Sequence, residues 1–394
     1  MSIPCVTRRE TPAPNVPTPT PTTTTSMPDR SQIINFGAGP STLPEDVLQE
    51  AAKGLLNYHQ TGIGLTELSH RSKEFGDLTR HLETLIREQL GVPLTTHAVL
   101  FTQGGGSAQF SAVVLNLLAW HRIQYPDMAH GERVMDYVVT GSWSKKAAEE
   151  ARRLSGGAKV NIVVDGRKTS KDGKSFDNIP PADHWKFSPS PAFVYYCDNE
   201  TVDGVQFSHD PTSFPFQILP PNVPLIADYS SSFMSRSIPR LADHALIYAG
   251  AQKNIGPSGL TILIVRKDLL VDTDAAAALG ATPVPYTLAY KTLADFGSLY
   301  NTPPMFPMYV ADLVLQRFAA NGGLKRLETM NKRKWEMLYA ALEIGEKMGL
   351  IKLKVQSGSR SWMNVTFQVL GEGAEQTFLD EAEARGFRQL KGHR

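Results

Sequence analysis

The chain alternates two kinds of hydrophobic pattern. H-A-V-L-F-T-Q (97–103) is apolar along nearly its whole length and reads as a buried strand. S-A-Q-F-S-A-V-V-L-N-L-L (107–118) then repeats its apolar residues at helical spacing. D-Y-V-V-T-G (136–141) predicts a strand and K-K-A-A-E-E-A-R-R-L (145–154) a helix; further strands are predicted at 159–164, 192–197, 224–228, 245–249 and 260–265. Strands without a polar face are covered on both sides, so this order predicts a parallel or mostly parallel sheet with helices on both faces. After P-P-M-F-P (303–307) a long amphipathic stretch runs from Val310 to Met348, broken near Asn321-Gly322-Gly323. It leads into M-N-V-T-F-Q-V, an alternating strand, and predicts a second, smaller α+β domain. No such pattern exists in T-P-A-P-N-V-P-T-P-T-P-T-T-T-T-S (11–26). Repeated Pro and Thr cannot bury enough surface to offset their ordering entropy, so residues 1–32 are expected to be a disordered tail.

Composition narrows the class without naming a chemistry. Of 394 residues, 41% are hydrophobic and 20% charged, with a net charge of +1, which argues against a general nucleic-acid or membrane-surface binder. Cys5 and Cys197 are the two cysteines, one in the tail and one in a predicted strand, so a disulfide framework is not expected and a reducing, cytoplasmic setting is. No apolar run approaches the ~20 residues that span a bilayer. The start, M-S-I-P-C-V-T-R-R-E, lacks the apolar core of a secretory signal.

Open α/β sheets bind ligands beyond the carboxyl ends of their strands, so the residues found there carry the functional reading. After 97–103 come Gly104-Gly105-Gly106 and a helix start, which is either an anion site built from free amides or a tight turn. After 136–141, Trp143 either stacks on a flat ring or joins the core. After 192–197, Asn199 and Thr201 either hydrogen-bond a ring substituent or form a polar turn. Asp228 ends an apolar strand, where a carboxylate is costly without a cationic partner; a structural salt bridge is the alternative. Lys253, in Y-A-G-A-Q-K-N-I-G-P-S-G (248–259), either is a desolvated amine nucleophile or reaches to solvent. Together these residues supply what pyridoxal phosphate (PLP) requires: a phosphate cradle, a stacking ring, a partner for the pyridine nitrogen and a lysine for the aldehyde. No metal site is indicated.

The segments I-N-F-G-A-G-P-S-T-L-P, S-H-R-S-K-E-F, G-G-G-S-A-Q-F, G-S-W-S-K-K-A, N-E-T-V-D-G-V, A-D-Y-S-S-S-F-M-S-R, Y-A-G-A-Q-K-N-I-G-P-S-G and S-L-Y-N-T-P-P together resemble the phosphoserine aminotransferase family of fold-type I PLP enzymes. The resemblance runs in order from about Ile34 to Arg394. It implies the aspartate aminotransferase-like fold: a large domain (33–308) with a seven-stranded, mostly parallel sheet, and a small domain (309–394). Lys253 would carry PLP, Asp228 would pair with its ring nitrogen, Trp143 would stack on it and Thr201 would meet the ring hydroxyl. Gly106, Ser107, Ala108 and Gln252 would hold the cofactor phosphate, and Asn301 and Thr302 would reach the phosphate of the partner in a homodimer. His70, Arg71, His393 and Arg394 would recognise the substrate; a surface ion pair with Glu74 is the alternative for Arg71. The implied reaction transfers the amino group of L-glutamate to 3-phosphohydroxypyruvate, giving O-phospho-L-serine and 2-oxoglutarate in L-serine biosynthesis.

Two departures bear on that expectation. Ser107 stands where some family members have an arginine for the substrate phosphate. The family pattern also continues past L-K-G-H-R with a G-G-x-R-x-S-x-Y-N-A type strand whose arginine clamps the substrate carboxylate, so the small domain is expected to be C-terminally truncated. The alternatives are a PLP-binding scaffold of this family without turnover, or another fold-type I enzyme such as an alanine–glyoxylate aminotransferase or a cysteine desulfurase. The pair His70-Arg71 argues against the last two, and no cysteine sits in a plausible catalytic loop. A dinucleotide binder is excluded because G-G-G-S-A-Q lacks the G-x-G-x-x-G spacing.

Overall fold

The computed structural model describes residues 29–208, 210 and 212–392. The predicted tail therefore lies almost wholly outside the described residues, as do His393 and Arg394. The chain opens with β1 (Ile34–Asn35), α1 (Glu45–Leu56) and α2 (Lys73–Leu90). Then come β2 (His97–Thr102), α3 (Gly105–Gln124), β3 (Val134–Val139), α4 (Ser142–Leu154), β4 (Lys159–Asp165) and β5 (Phe193–Cys197). A small hairpin, β6 (Asn199–Glu200) with β7 (Val205–Gln206), precedes β8 (Leu225–Asp228), β9 (Leu246–Gly250) and β10 (Thr261–Arg266). Helices α5 (Thr273–Ala278), α6 (Tyr290–Asp295), α7 (Met305–Ala320) and α8 (Gly323–Lys347) follow. β11 (Ile351–Leu353), β12 (Phe367–Val369), α9 (Ala374–Ala384) and β13 (Phe387–Arg388) complete the described elements.

The central sheet has seven strands in the order β2-β10-β9-β8-β5-β3-β4. β9, β8, β5, β3 and β4 run parallel, whereas β10 is antiparallel to both β9 and β2. Two reversals restore direction, so β2 points the same way as β9. The carboxyl ends of β2, β3, β5, β8 and β9 thus share one edge, as the strand-end argument requires.

Period-two geometry divides the sheet's side chains between two cores. Val99, Phe101, Val194, Ala227, Ile247 and Ile262 pack with Phe75 and Leu82 of α2 and Val310 of α7. Leu100, Tyr137, Tyr195, Ile226, Tyr248 and Leu263 pack with Val113 and Leu117 of α3 and Ala147 of α4. The sheet is covered on both faces, which is why its strands carry no polar side. The predicted helix at 107–118 is longer than the apolar run suggested, ending at Gln124. The long amphipathic stretch breaks where expected: Gly322 takes φ +92° as the N-cap of α8. Only the last three residues of M-N-V-T-F-Q-V form a strand, β12 against β11. Residues 361–366 bind the β6–β7 hairpin instead: Ser361 N donates to Gly204 O at 2.9 Å and Thr366 Oγ1 to Asp203 O at 3.0 Å. No helix among the described residues is long and apolar enough to cross a membrane.

Candidate active site

Lys253 lies in the tight turn that follows β9. Gly256 N and Ile255 N both close on the carbonyl of Ala251, at 2.9 and 3.2 Å, and this lifts Gln252 and Lys253 out of the sheet. The turn is clamped from outside by the amino-terminal segment. Ser41 N donates to Gln252 O at 3.0 Å, Ser41 Oγ donates to the carbonyl of Lys253, and Gly39 packs against the lysine stem. Lys253 is half-buried, and burial pushes its amine below the ordinary lysine value; the charge of Asp228 opposes this without overcoming it.

Asp228 ends β8, one strand over, and is buried at 5% exposure. Burial pushes its carboxyl up; bonds from Ser230 and Tyr248, and the charge of Lys253, pull the other way. Ser230 N donates to its Oδ1 at 2.8 Å. No salt bridge within 4.0 Å satisfies Asp228 among the described residues, so the structural alternative for this carboxylate is not realised. A fixed, buried carboxylate beside a partly desolvated amine is poised to receive a positively charged group.

The anion cradle is present beside them. α3 starts immediately after β2, with Gly104 at φ +94° as its N-cap and no capping side chain. Gly105 N is taken by Thr261 Oγ1 at 2.8 Å and Ala108 N by Gly104 O at 3.3 Å. The Gly106 and Ser107 amides between them have no acceptor among the described residues, as expected for a first helical turn left open. Gly106 sits next to the carboxylate: a Cβ there would lie 3.6 Å from Asp228 Oδ2.

Trp143 occupies the second position of α4, half-buried, with its ring centroid 6.5 Å from that of Phe110 and Lys146 Nζ 4.5 Å from it. Thr201 is half-buried in the turn of the β6–β7 hairpin. Asn199 is not free for a ligand. Its Nδ2 donates to Ser231 Oγ at 2.7 Å and to Asn364 Oδ1 at 2.8 Å, and its Oδ1 accepts from Ser361 Oγ at 2.6 Å. Strand-end position offers Asn199 and Thr201 alike, and the family resemblance implies Thr201.

The remaining candidates form a second group. Asn301 and Thr302 are exposed, and Thr302 Oγ1 is 3.3 Å from His70 Nδ1. His70 Nε2 is buried and has no hydrogen-bond partner among the described residues. Arg71 is exposed, and no ion pair to Glu74 exists within 4.0 Å among the described residues. Sequence reasoning missed Ser41, Gly39, Ser230, Thr261 and Glu200, all of which touch the candidate residues. Only long-range packing reveals Gly39 and Ser41, because they lie more than two hundred positions from Lys253.

Residues 33–394 match the family model described as aminotransferase class-V. A curated phosphoserine aminotransferase from Laribacter hongkongensis (strain HLHK9) is 41% identical over 362 residues, which cover 92% of this chain and 90% of the relative. One from Nitrosomonas europaea is 39% identical over 363 residues, with 92% and 90% covered. A solved PLP-bound phosphoserine aminotransferase from Trichomonas vaginalis superposes with a TM-score of 0.78 at 32% identity, covering 92% of each chain. On a site assembled at one sheet edge and on matches of this extent, the chain belongs to the aminotransferase class-V family, among its phosphoserine aminotransferases.

Proposed function

We propose that this chain catalyses the PLP-dependent transfer of the amino group of L-glutamate to 3-phosphohydroxypyruvate, giving O-phospho-L-serine and 2-oxoglutarate, a step of L-serine biosynthesis. The observation that carries this reading is the juxtaposition of Lys253 and Asp228, a partly desolvated amine in the turn after β9 and a buried carboxylate at the end of β8, beside an open helix N-terminus. The residues present fit the cofactor. The open amides of Gly106 and Ser107, with Ala108 and Gln252, suit its phosphate; Asp228 suits a protonated ring nitrogen; Trp143 offers a ring face and Thr201 a hydroxyl for the ring oxygen. When bound, the cofactor supplies an aldehyde that carries the amino group and a ring that accepts electrons from the substrate α-carbon.

The protein's own contribution is orientation and proton transfer. Asp228 would hold a proton on the ring nitrogen, and its burial would make that interaction strong. Lys253, once its amine is free and neutral, takes the proton from the substrate α-carbon through Nζ and returns it on the far side of the exchange. The clamp from Ser41 and Gly39 fixes the origin of that swing. Arg71, which is exposed, offers donors to a substrate bearing phosphate and carboxylate, and His70 would act beside it. His393 and Arg394 would add further positive charge.

The proposed unit is a homodimer. Thr302 and His70 touch, so if Asn301 and Thr302 reach a partner's site, His70 and Arg71 go with them. We read residues 33–308 as the cofactor-binding domain and 309–394 as the smaller one, and place the enzyme in the cytoplasm, where the buried free thiol of Cys197 stays reduced. The test is the visible spectrum of the PLP-loaded protein. The reading predicts a band that depends on Lys253, that glutamate bleaches and that 3-phosphohydroxypyruvate restores. A band unaffected by Lys253→Ala removes the assigned lysine; a Lys253-dependent band that glutamate leaves unchanged removes the transamination.

A further inference from the structure

Two carboxylates of the β6–β7 hairpin face the start of α4. Glu200 is fully buried, and its Oε2 accepts from Trp143 N at 2.8 Å while its Oε1 accepts from Ser144 N at 3.0 Å. Asp203 accepts from Ser142 N at 2.6 Å and from Ser142 Oγ at 3.2 Å. Three successive amides that a helix leaves without internal acceptors thus end on one hairpin. The N-cap itself, Gly141, makes no side-chain bond, and Glu200 fills the space a side chain would need: a Cβ on Gly141 would lie 2.3 Å from Glu200 Cγ.

A wholly buried carboxylate is costly, and no basic side chain lies within 4.0 Å of Glu200 among the described residues. Burial, with the like charge of Asp203, pushes its carboxyl up to about 8 against the bonds from Ser144 and Trp143. Ordinary capping needs no such expense, since an exposed Ser or Asp at the N-cap serves. What the arrangement achieves is a rigid link. Thr201 sits between the two carboxylates in the chain, and Trp143 sits on the helix they hold.

We propose that Glu200 is a positioning residue for the transamination. By gripping the Trp143 and Ser144 amides from the strand that precedes Thr201, it fixes the indole and the threonine hydroxyl relative to each other, and so the tilt of a ring held between them. This rests on the reading above that Trp143 and Thr201 contact the cofactor ring. The hairpin is anchored in turn to residues 361–366 through Asn199, Ser361 and Thr366, so the ring contacts are referenced to a surface remote from Lys253 in sequence.

The test uses protein labelled with 5-fluorotryptophan, whose Trp143 fluorine resonance is assigned by Trp143→Phe. In Glu200→Gln the side-chain amide presents an N–H to one of the two backbone amides, so the grip is broken with little change of volume. The expected result is a shift of the Trp143 resonance alone among the five tryptophans, with and without PLP. With it kcat falls roughly ten- to hundredfold, and KM for glutamate stays within about twofold. Asp136→Asn is the control, because Asp136 is equally buried and accepts three bonds, from Ser188 and Asn161, but holds neither ring-contacting residue. Should Glu200→Gln fail to fold, Asp203→Ala removes the acceptors of the Ser142 amide and hydroxyl alone and is expected to give the same pattern at smaller amplitude. A Trp143 resonance unmoved by these variants, a shift without loss of kcat, or an equal kcat loss in Asp136→Asn overturns the proposal. A wild-type Trp143 resonance that does not respond to PLP overturns the site reading beneath it, and the two failures are therefore told apart.

Discussion

Gly39 gives the sharpest test of how the site is built. It sits at φ +144°, a conformation nearly reserved for glycine, and a Cβ built there would lie 2.3 Å from Lys253 Cδ and 2.8 Å from Lys253 Nζ. Two costs follow for Gly39→Ala. The backbone strain is on the order of 1–3 kcal/mol. The contact is relieved only if the lysine stem retreats by about 1 Å or more, since carbon atoms settle near ~3.5–4.0 Å apart. The stem is flexible, so the retreat costs little stability, but it moves the amine. A displacement of about 1 Å at a reacting group costs on the order of 10²-fold in rate. The variant is therefore expected to lose activity by about that factor, and to bind PLP more weakly, while unfolding free energy falls by only ~1–3 kcal/mol. Gly91→Ala separates the two effects. Gly91 is at φ +68° with open space where a Cβ would go, so it carries strain without contact and is expected to leave activity intact. The assays are urea unfolding of the PLP-free protein and coupled turnover with PLP titrated by absorbance. Turnover in Gly39→Ala within about twofold of wild type, at saturating PLP, would refute the placement of Lys253 by its amino-terminal clamp.

Two further perturbations test the packing that carries the site. Asp198 is 2% exposed and accepts from Ser232 Oγ at 2.6 Å and from the equally buried Arg236 Nη2 at 3.1 Å, so Asp198→Asn strands a buried guanidinium and is expected to cost about 3–5 kcal/mol in urea unfolding; a loss below ~1 kcal/mol would place that pair in wetter surroundings. Ser361 is fully buried, donates to Asn199 Oδ1 at 2.6 Å and accepts from the Met363 and Asn364 amides at 3.0 and 2.9 Å, so Ser361→Ala is expected to cost ~1–3 kcal/mol and to speed hydrogen exchange in the 199–206 hairpin. Unchanged exchange there would show that 361–366 does not brace the hairpin.

The sheet was legible because its strands are short apolar runs closed by turn residues, and a strand buried on both faces leaves no other pattern. Lys253, Asp228 and Gly106 were legible for a related reason: polar or helix-breaking residues at the ends of such runs must be solvated, bonded or functional. The antiparallel course of β10 was not legible, since 260–265 is as apolar as its parallel neighbours and periodicity carries no direction. Nor were β1 with β13, or the β6–β7 hairpin, whose strands are only two residues long each. Among the strand-end polar residues, local pattern alone could not tell Asn199, consumed by Ser231, Ser361 and Asn364, from Thr201; only the family resemblance implied the latter. That distinction depends on residues some 160 positions further along, which no local pattern brings near.

Lys253 and Asp228 also make a claim about charge that can be tested without the cofactor. Burial drives the lysine amine below its ordinary value of 10.5, and the first influence that opposes it is the charge of Asp228. Removing that charge in Asp228→Asn must therefore lower the amine further. The sign for stability follows. Below 10.5 the unfolded lysine holds its proton while the folded one sheds it, so the folded state gains stability as pH rises across the interval between the folded value and 10.5. Asp228→Asn extends that interval downward. Asp228 works in the opposite sense, since a carboxyl raised above 3.8 favours folding only while it keeps its proton and loses that contribution as pH rises through the folded value. The amine is read directly by acylating the PLP-free protein across pH and following the Lys253 peptide by mass spectrometry. Wild type is expected to show a midpoint below 10.5, and Asp228→Asn a lower one. A midpoint that rises in the variant would mean that Asp228 does not stabilise the ammonium. An unchanged midpoint would mean that the carboxyl is already neutral when the lysine titrates, and that its charge does not set the amine's proton affinity.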